Sequence, residues 1–167
     1  MKFKKLFKII SLLFLLILFS GCLPNQPPDG EAELAEDFSL PTFDEACFTL
    51  SKHFGQPILL YFFRIDCSSC QKETPNLVDM YNTYKNAGLL VVGIVTRATS
   101  TQELRTFIES YGITYPILID ENREVCNMYG VYYIPHNFFI NREGKVVEDK
   151  VGPMSKTELE EAIMNIL

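Results

Sequence analysis

Two stretches of the chain carry almost no polar alternation: Pro57-Ile58-Leu59-Leu60-Tyr61-Phe62-Phe63 and Leu89-Leu90-Val91-Val92-Gly93-Ile94-Val95. Runs this apolar predict strands buried on both faces. Between them, Leu77, Tyr81 and Tyr84 recur at helical spacing, which predicts a helix over 67–87 with Pro75 as a kink and Gly88 as its stop. Strand, helix and strand within about forty residues make a βαβ unit, so the two strands should run parallel. Ahead of this unit, 37–40 and 47–50 read as a short hairpin. After it, Ser100 and Glu103 form a capping box for a helix to Tyr111, closed by Gly112. A strand over 115–119 and a short helix over 123–129 follow. Strands 137–140 and 145–151 flank Asn141-Arg142-Glu143-Gly144, a hairpin turn with Gly supplying positive φ. Ser155 and Glu158 cap a last helix, 156–166, with Leu159, Ile163 and Ile166 on one face.

Residues 1–21 do not fit this pattern. Lys2, Lys4, Lys5 and Lys8 precede an apolar run over 9–19 that only Ser11 interrupts, and Ser20-Gly21-Cys22 follows. That is the layout of a secretory leader, too short and wrongly flanked for an ordinary membrane span. The small residues before Cys22 resemble the lipobox of bacterial lipoproteins, with Phe19 where that motif usually has Leu. The resemblance implies that Cys22 is the lipidated N-terminus. The alternative is an uncleaved N-terminal anchor; either way the domain is expected outside the cytoplasm, on the outer face of the bacterial cytoplasmic membrane. Residues 22–35 hold Pro24, Pro27, Pro28 and Gly30 and then acids, and read as an extended tether to a domain over 36–167. Loss of the four leader lysines, with no acids lost, takes the formal charge from −6 to −10. This argues against nucleic acid and mildly for basic protein partners.

Candidate chemistry centres on Cys67-Ser68-Ser69-Cys70, where the first apolar strand enters the helix. Two thiols one helical turn apart can close a disulfide. The first lies among the unpaired N–H groups of the helix start, which stabilise its thiolate and move a thiol pKa from about 8.5 into the range of roughly 3.5–7.5. Cys67, at the exposed edge, is the expected nucleophile, and Cys70, a turn inside, the expected resolving thiol. A purely structural bridge is disfavoured because closing so small a loop removes little chain entropy. A zinc site would need two further ligands, usually from a second close pair, and Cys47, His53, Cys126 and His136 stand singly. Five cysteines are an odd number for an exported chain; with Cys22 lipidated, Cys47 and Cys126 could pair, or could be small buried residues, the reading we favour. Glu73, one turn past Cys70, could accept the proton of the buried thiol or could be an exposed first-turn acid. His53 reads as solvated.

This order of elements around C-x-x-C is that of the thioredoxin fold: a mixed central sheet flanked by helices, here with an N-terminal β-hairpin extension. From about residue 36 to the end the chain resembles the TlpA/ResA-type family of membrane-tethered, extracytoplasmic thiol–disulfide oxidoreductases. The residues that carry the likeness are Cys67-Ser68-Ser69-Cys70-Gln71-Lys72-Glu73, Pro75, Ile134-Pro135 before an apolar strand, and Gly144-Lys145-Val146-Val147. The resemblance implies that Pro135 is cis and lies against the disulfide, and that Glu73 belongs to the active site. Tyr61 stands where cytosolic thioredoxins have a buried acid. Two positions depart from the family: Asp66 replaces the usual Trp before the first cysteine, and His136 the usual Thr after the proline. Asp66, Ile134 and His136 are thus the expected partner-facing rim, and the Asp66 charge is expected to oppose the Cys67 thiolate. The implied activity is reduction of disulfides in exported proteins, such as keeping apocytochrome c thiols reduced, recharged by a membrane thiol donor. No cofactor is called for, since the dithiol carries the electrons. A different class, a thioredoxin-fold copper chaperone using Cys67, Cys70 and His136, is the competing expectation. A peroxidase is disfavoured because no Thr stands three residues before Cys67.

Overall fold

A computed structural model of the chain describes residues 32–97 and 100–167. The leader, Cys22 and the tether up to residue 31 lie outside the described residues. In chain order the elements are β1 (Ser39–Pro41), β2 (Cys47–Thr49), a 3-10 turn (Leu50–His53), β3 (Ile58–Phe63), α1 (Ser68–Tyr84), β4 (Leu90–Val95), α2 (Thr101–Tyr111), β5 (Ile117–Ile119), α3 (Glu124–Met128), β6 (His136–Ile140), β7 (Val146–Val151) and α4 (Lys156–Met164).

All six residues of β3 are sealed from solvent, as their unbroken apolar run requires. On one side β3 pairs in parallel with β4, Leu59 opposite Val91; on the other it pairs antiparallel with β6, Tyr61 opposite Asn137. The five-stranded sheet runs β5-β4-β3-β6-β7, and β1 and β2 form a separate hairpin. Alternation along β3 splits the interior into two cores. Leu59, Tyr61 and Phe63 face α1, α2 and α4 through Leu77, Met80, Leu104, Phe107, Leu159 and Ile163. Ile58, Leu60 and Phe62 face the hairpin and α3 through Phe38, Phe48, Val125 and Cys126. Burial of each such side chain contributes about 1.5–3 kcal/mol, so the sheet is held on both faces.

Both expected capping boxes form: Ser100 with Glu103 and Ser155 with Glu158 each satisfy two orphan donors. Helix α1 continues through Pro75 and ends in a 3-10 turn capped by Gly88 at φ 100°. Gly93 is required for a different reason: a Cβ there would stand 2.6 Å from Ile117 Cδ1 and 3.1 Å from Phe63 Cε1.

Three expectations are corrected. The end of the expected tether is part of the domain, because Ala35 is buried and donates from its N to Gly144 O at 2.8 Å, while Val146 N donates to Glu33 O at 2.9 Å. His53 is half-buried rather than solvated, its ring stacked on Phe48 at 4.4 Å, and burial holds its pKa below the usual value. Cys126 is buried as expected, but Cys47 is exposed, and both are free thiols.

Candidate active site

The end of β3 delivers the chain into a tight turn in which Cys67 N donates to Arg64 O at 3.3 Å, and α1 starts at the next residue. Cys67 is the N-cap of α1. Its extended backbone (φ −93°, ψ 113°) turns the sulfur back over the helix start, where Sγ accepts from Cys70 N at 3.2 Å. A sulfur in this place meets the unpaired donors and the positive end of the helix. Cys67 and Cys70 are joined as a disulfide. Cys67 is half-buried and Cys70 fully buried, so only the first sulfur is approachable from solvent. The Cys70 carbonyl accepts from Tyr61 Oη at 3.0 Å and from Thr74 Oγ1 at 2.8 Å, fastening the second cysteine to β3 and to its own helix.

Glu73 is buried (1% exposed), not a solvated first-turn acid. Oε1 accepts from Asn137 Nδ2 at 2.8 Å and from Met154 N at 3.1 Å, while Oε2 has no hydrogen-bond partner among the described residues. Burial pushes its pKa up to about 7, against the pull of those two donors, and Glu158 adds to the rise. An acid tuned near neutrality one turn below Cys70 can take up or release a proton at physiological pH.

The Ile134–Pro135 bond is cis, as the resemblance implied. Because His136 pairs with Phe62 in the antiparallel register, that bond lies at the same end of the sheet as Cys67. Pro135 is buried and Ile134 half-buried, followed outward by Tyr133 and Tyr132, which are 75% and 82% exposed.

The two departures from the family behave differently from expectation. Asp66 is exposed, but Arg64 clamps it, Nε to Oδ1 at 2.8 Å and Nη2 to Oδ2 at 3.0 Å. That pairing holds the Asp66 carboxyl below its usual range and offsets the charge that was expected to oppose the Cys67 thiolate. His136 is buried rather than at the rim. Strand alternation turns it away from the α1 face, and it stacks on Phe138 at 4.3 Å while Nε2 meets Asp149 Oδ2 at 2.7 Å. A copper site built from Cys67, Cys70 and His136 is therefore not assembled, and no group of three metal-ligating side chains occurs among the described residues.

Sequence reasoning missed Asn137, Met154 and Arg64. Asn137 had a readable signal: it is a carboxamide in an otherwise buried strand, on the face that alternation gives to α1. Met154 contributes only a backbone N–H, for which no side-chain signal exists.

A thioredoxin fold with an N-capping cysteine, its disulfide partner one turn inside and a cis-proline at the same sheet end defines a thiol–disulfide oxidoreductase. The chain belongs to the AhpC/TSA family, whose model matches residues 32–149. It is 28% identical to the thiol-disulfide oxidoreductase ResA of Bacillus thuringiensis over 95% of this chain and 94% of that one. It is 30% identical to the ResA of Geobacillus thermodenitrificans over 79% of this chain and 75% of that one. Among solved structures, a thiol:disulfide interchange protein of the thioredoxin family from Chlorobium tepidum superposes with a TM-score of 0.75 at 25% identity, covering 83% of this chain and 99% of that one.

Proposed function

We propose that this chain is a membrane-anchored, extracytoplasmic reductant of disulfides in exported proteins, apocytochrome c among the candidate substrates, with Cys22 as its lipid anchor. The observation that carries the chemistry is the contrast at the dithiol: an approachable Cys67 capping α1, and a sealed Cys70 with a buried acid one turn deeper. In the reduced enzyme the Cys67 thiolate attacks one sulfur of the substrate disulfide, forming a mixed disulfide and releasing the other substrate sulfur as a thiolate. Cys70 then gives its proton to Glu73 and attacks Cys67 Sγ. The Cys67–Cys70 bond forms, and the second substrate sulfur leaves as a thiolate that takes its proton from solvent. Two electrons have passed to the substrate, and a membrane thiol donor restores the dithiol.

The direction of flow is tested by redox titration against glutathione. Thioredoxin-fold proteins run from about −270 to −120 mV; a value near the lower end supports a reductant, and one near the upper end would make the protein an oxidant. Cys70→Ser should trap a mixed disulfide through Cys67, and trapping by Cys67→Ser instead would reverse the two roles. Cys22→Ala should release the domain from the membrane fraction; unchanged lipid labelling of that variant would remove Cys22 as the anchor.

A further inference from the structure

The two donors that reach Glu73 both go to the same oxygen. Asn137 Nδ2 and Met154 N converge on Oε1, and Oε2, equally buried, receives none. An ionised carboxylate has two equivalent acceptor oxygens, and leaving one without a donor in the interior is strongly unfavourable. Asn137 has the matching deficit: Nδ2 is used, and its buried Oδ1, an acceptor, has no partner among the described residues. The two unsatisfied atoms thus belong to two side chains already joined by one hydrogen bond, and both are acceptors. A single proton placed on Oε2 supplies what both lack. It makes Oε1 the carbonyl oxygen that the two N–H groups select and Oε2 a hydroxyl, the donor that Asn137 Oδ1 lacks. Flipping the amide would set Oδ1 against Oε1, so the acid also fixes the orientation of Asn137.

We propose that Asn137 is the positioning residue of the active-site acid, holding the protonated form of Glu73 in the disulfide state as a closed acid–amide pair: Nδ2–H to Oε1, and Oε2–H to Oδ1. The proposal rests on the role of Glu73 as acceptor of the Cys70 proton, and it deepens that role, because the disulfide state is the one in which Glu73 has just received that proton. The surroundings agree. The charged side chain acting on Glu73 is Glu158 of α4, of like sign. Tyr61 of β3 and Tyr115 before β5 are neutral phenols whose ionisation the Glu73 charge opposes, with Tyr111 of α2 acting on Tyr61 in the same sense. Cys70 of α1 is in the disulfide. None of these groups favours a carboxylate here. Loss of the proton would leave Oε2 and Oδ1 as two buried acceptors with no donor for either, so the pair discriminates between the protonation states.

Infrared difference spectra of the full oxidised chain, recorded from pH 5 to pH 9 with and without ¹³C-labelled asparagine, read the pair directly. A protonated carboxyl band should titrate away and vanish in Glu73→Gln. An asparagine amide C=O band should shift with the same midpoint, and that shift should be absent in Glu73→Gln and in Asn137→Leu. A carboxyl titration without an accompanying amide shift, or no protonated carboxyl at pH 5, would overturn the proposal. Folding equilibria give a second reading. Asn137→Leu should cost at least threefold more in the folding equilibrium at pH 5 than at pH 9 in the wild-type background. It should cost the same at both pH values in Glu73→Gln, whose amide keeps the geometry of the protonated acid. A larger cost at pH 9 means that Asn137 serves the carboxylate instead, and sinks the pairing. Failure of the parent reading looks different: an unchanged pH profile of disulfide reduction in Glu73→Gln would remove the proton-transfer role and leave the spectra as they are.

Discussion

Arg64 grips Asp66, the residue directly before the nucleophile, with two charge-assisted bonds of 2.8 and 3.0 Å. The pair converts what looks in the sequence like a negative neighbour of Cys67 into a nearly neutral unit, with Arg97 also acting on Asp66 in the same sense. Arg64→Ala should release the charge. At a separation on the order of 6 Å, two negative charges repel by roughly 0.7 kcal/mol in water and about 2.8 at an effective dielectric of 20. At 1.36 kcal/mol per pKa unit, the Cys67 thiol should rise by about half a unit to two units. Asp66→Asn in the wild-type background leaves Arg64 unpaired and should lower the thiol pKa by a comparable amount. Alkylation rates against pH in the reduced protein measure both, and no rise on Arg64→Ala would mean that the clamp does not form in solution.

The raised pKa of Glu73 makes stability depend on pH with a definite sign. Because the folded value, about 7, lies above the ordinary carboxyl value of 4.5, the contribution of this group is fully present below about pH 4.5 and is lost as pH climbs to 7 and beyond. The loss is on the order of 3 kcal/mol. Glu73→Gln carries no such penalty and should gain on the wild type by up to that amount between pH 4 and pH 9. Urea denaturation of the oxidised proteins at the two ends of the range checks this; a stability difference that does not vary with pH would contradict it.

The two free thiols should separate cleanly in a labelling experiment. Cys47 is exposed, whereas burial and the Asp120 carboxylate push the Cys126 thiol up to about 12. At pH 8 iodoacetamide should modify Cys47 within minutes and leave Cys126 untouched until the chain is unfolded. Rapid double labelling of the native oxidised protein would mean that α3 opens readily.

Gly93 sits where β4 passes under Phe63 and Ile117, with no room for a Cβ. Gly93→Ala should cost about 1–3 kcal/mol through displaced side chains, since an inserted methyl forces its neighbours off their rotamers. Thermal unfolding measures it, and an unchanged midpoint would show that Ile117 Cδ1 gives way freely.

The order of elements and the dithiol were legible in the chain because they depend on local periodicity and on a four-residue spacing. Unbroken apolar runs become β3 and β4, helical spacing becomes α1, and Ser–Glu pairs three apart become capping boxes wherever they fall. Cys67 as N-cap follows from the same short-range logic. What surrounds the dithiol depended on side chains brought together from distant parts of the chain. Glu73 could be read equally as a solvated acid or a buried one, and only the arrival of β6 and of Met154 over it decided for burial. His136 looked like a rim residue by its place after Pro135, yet the pleat turns it to the opposite face and leaves Asn137 facing the acid. Strand alternation is visible in the sequence, but which face receives the active-site helix is set by the handedness of the βαβ crossover and the register of β6 against β3. The sequence alone determined that this protein carries an approachable and a hidden thiol at the start of one helix; only the tertiary structure decided which acid and which amide sit beneath them.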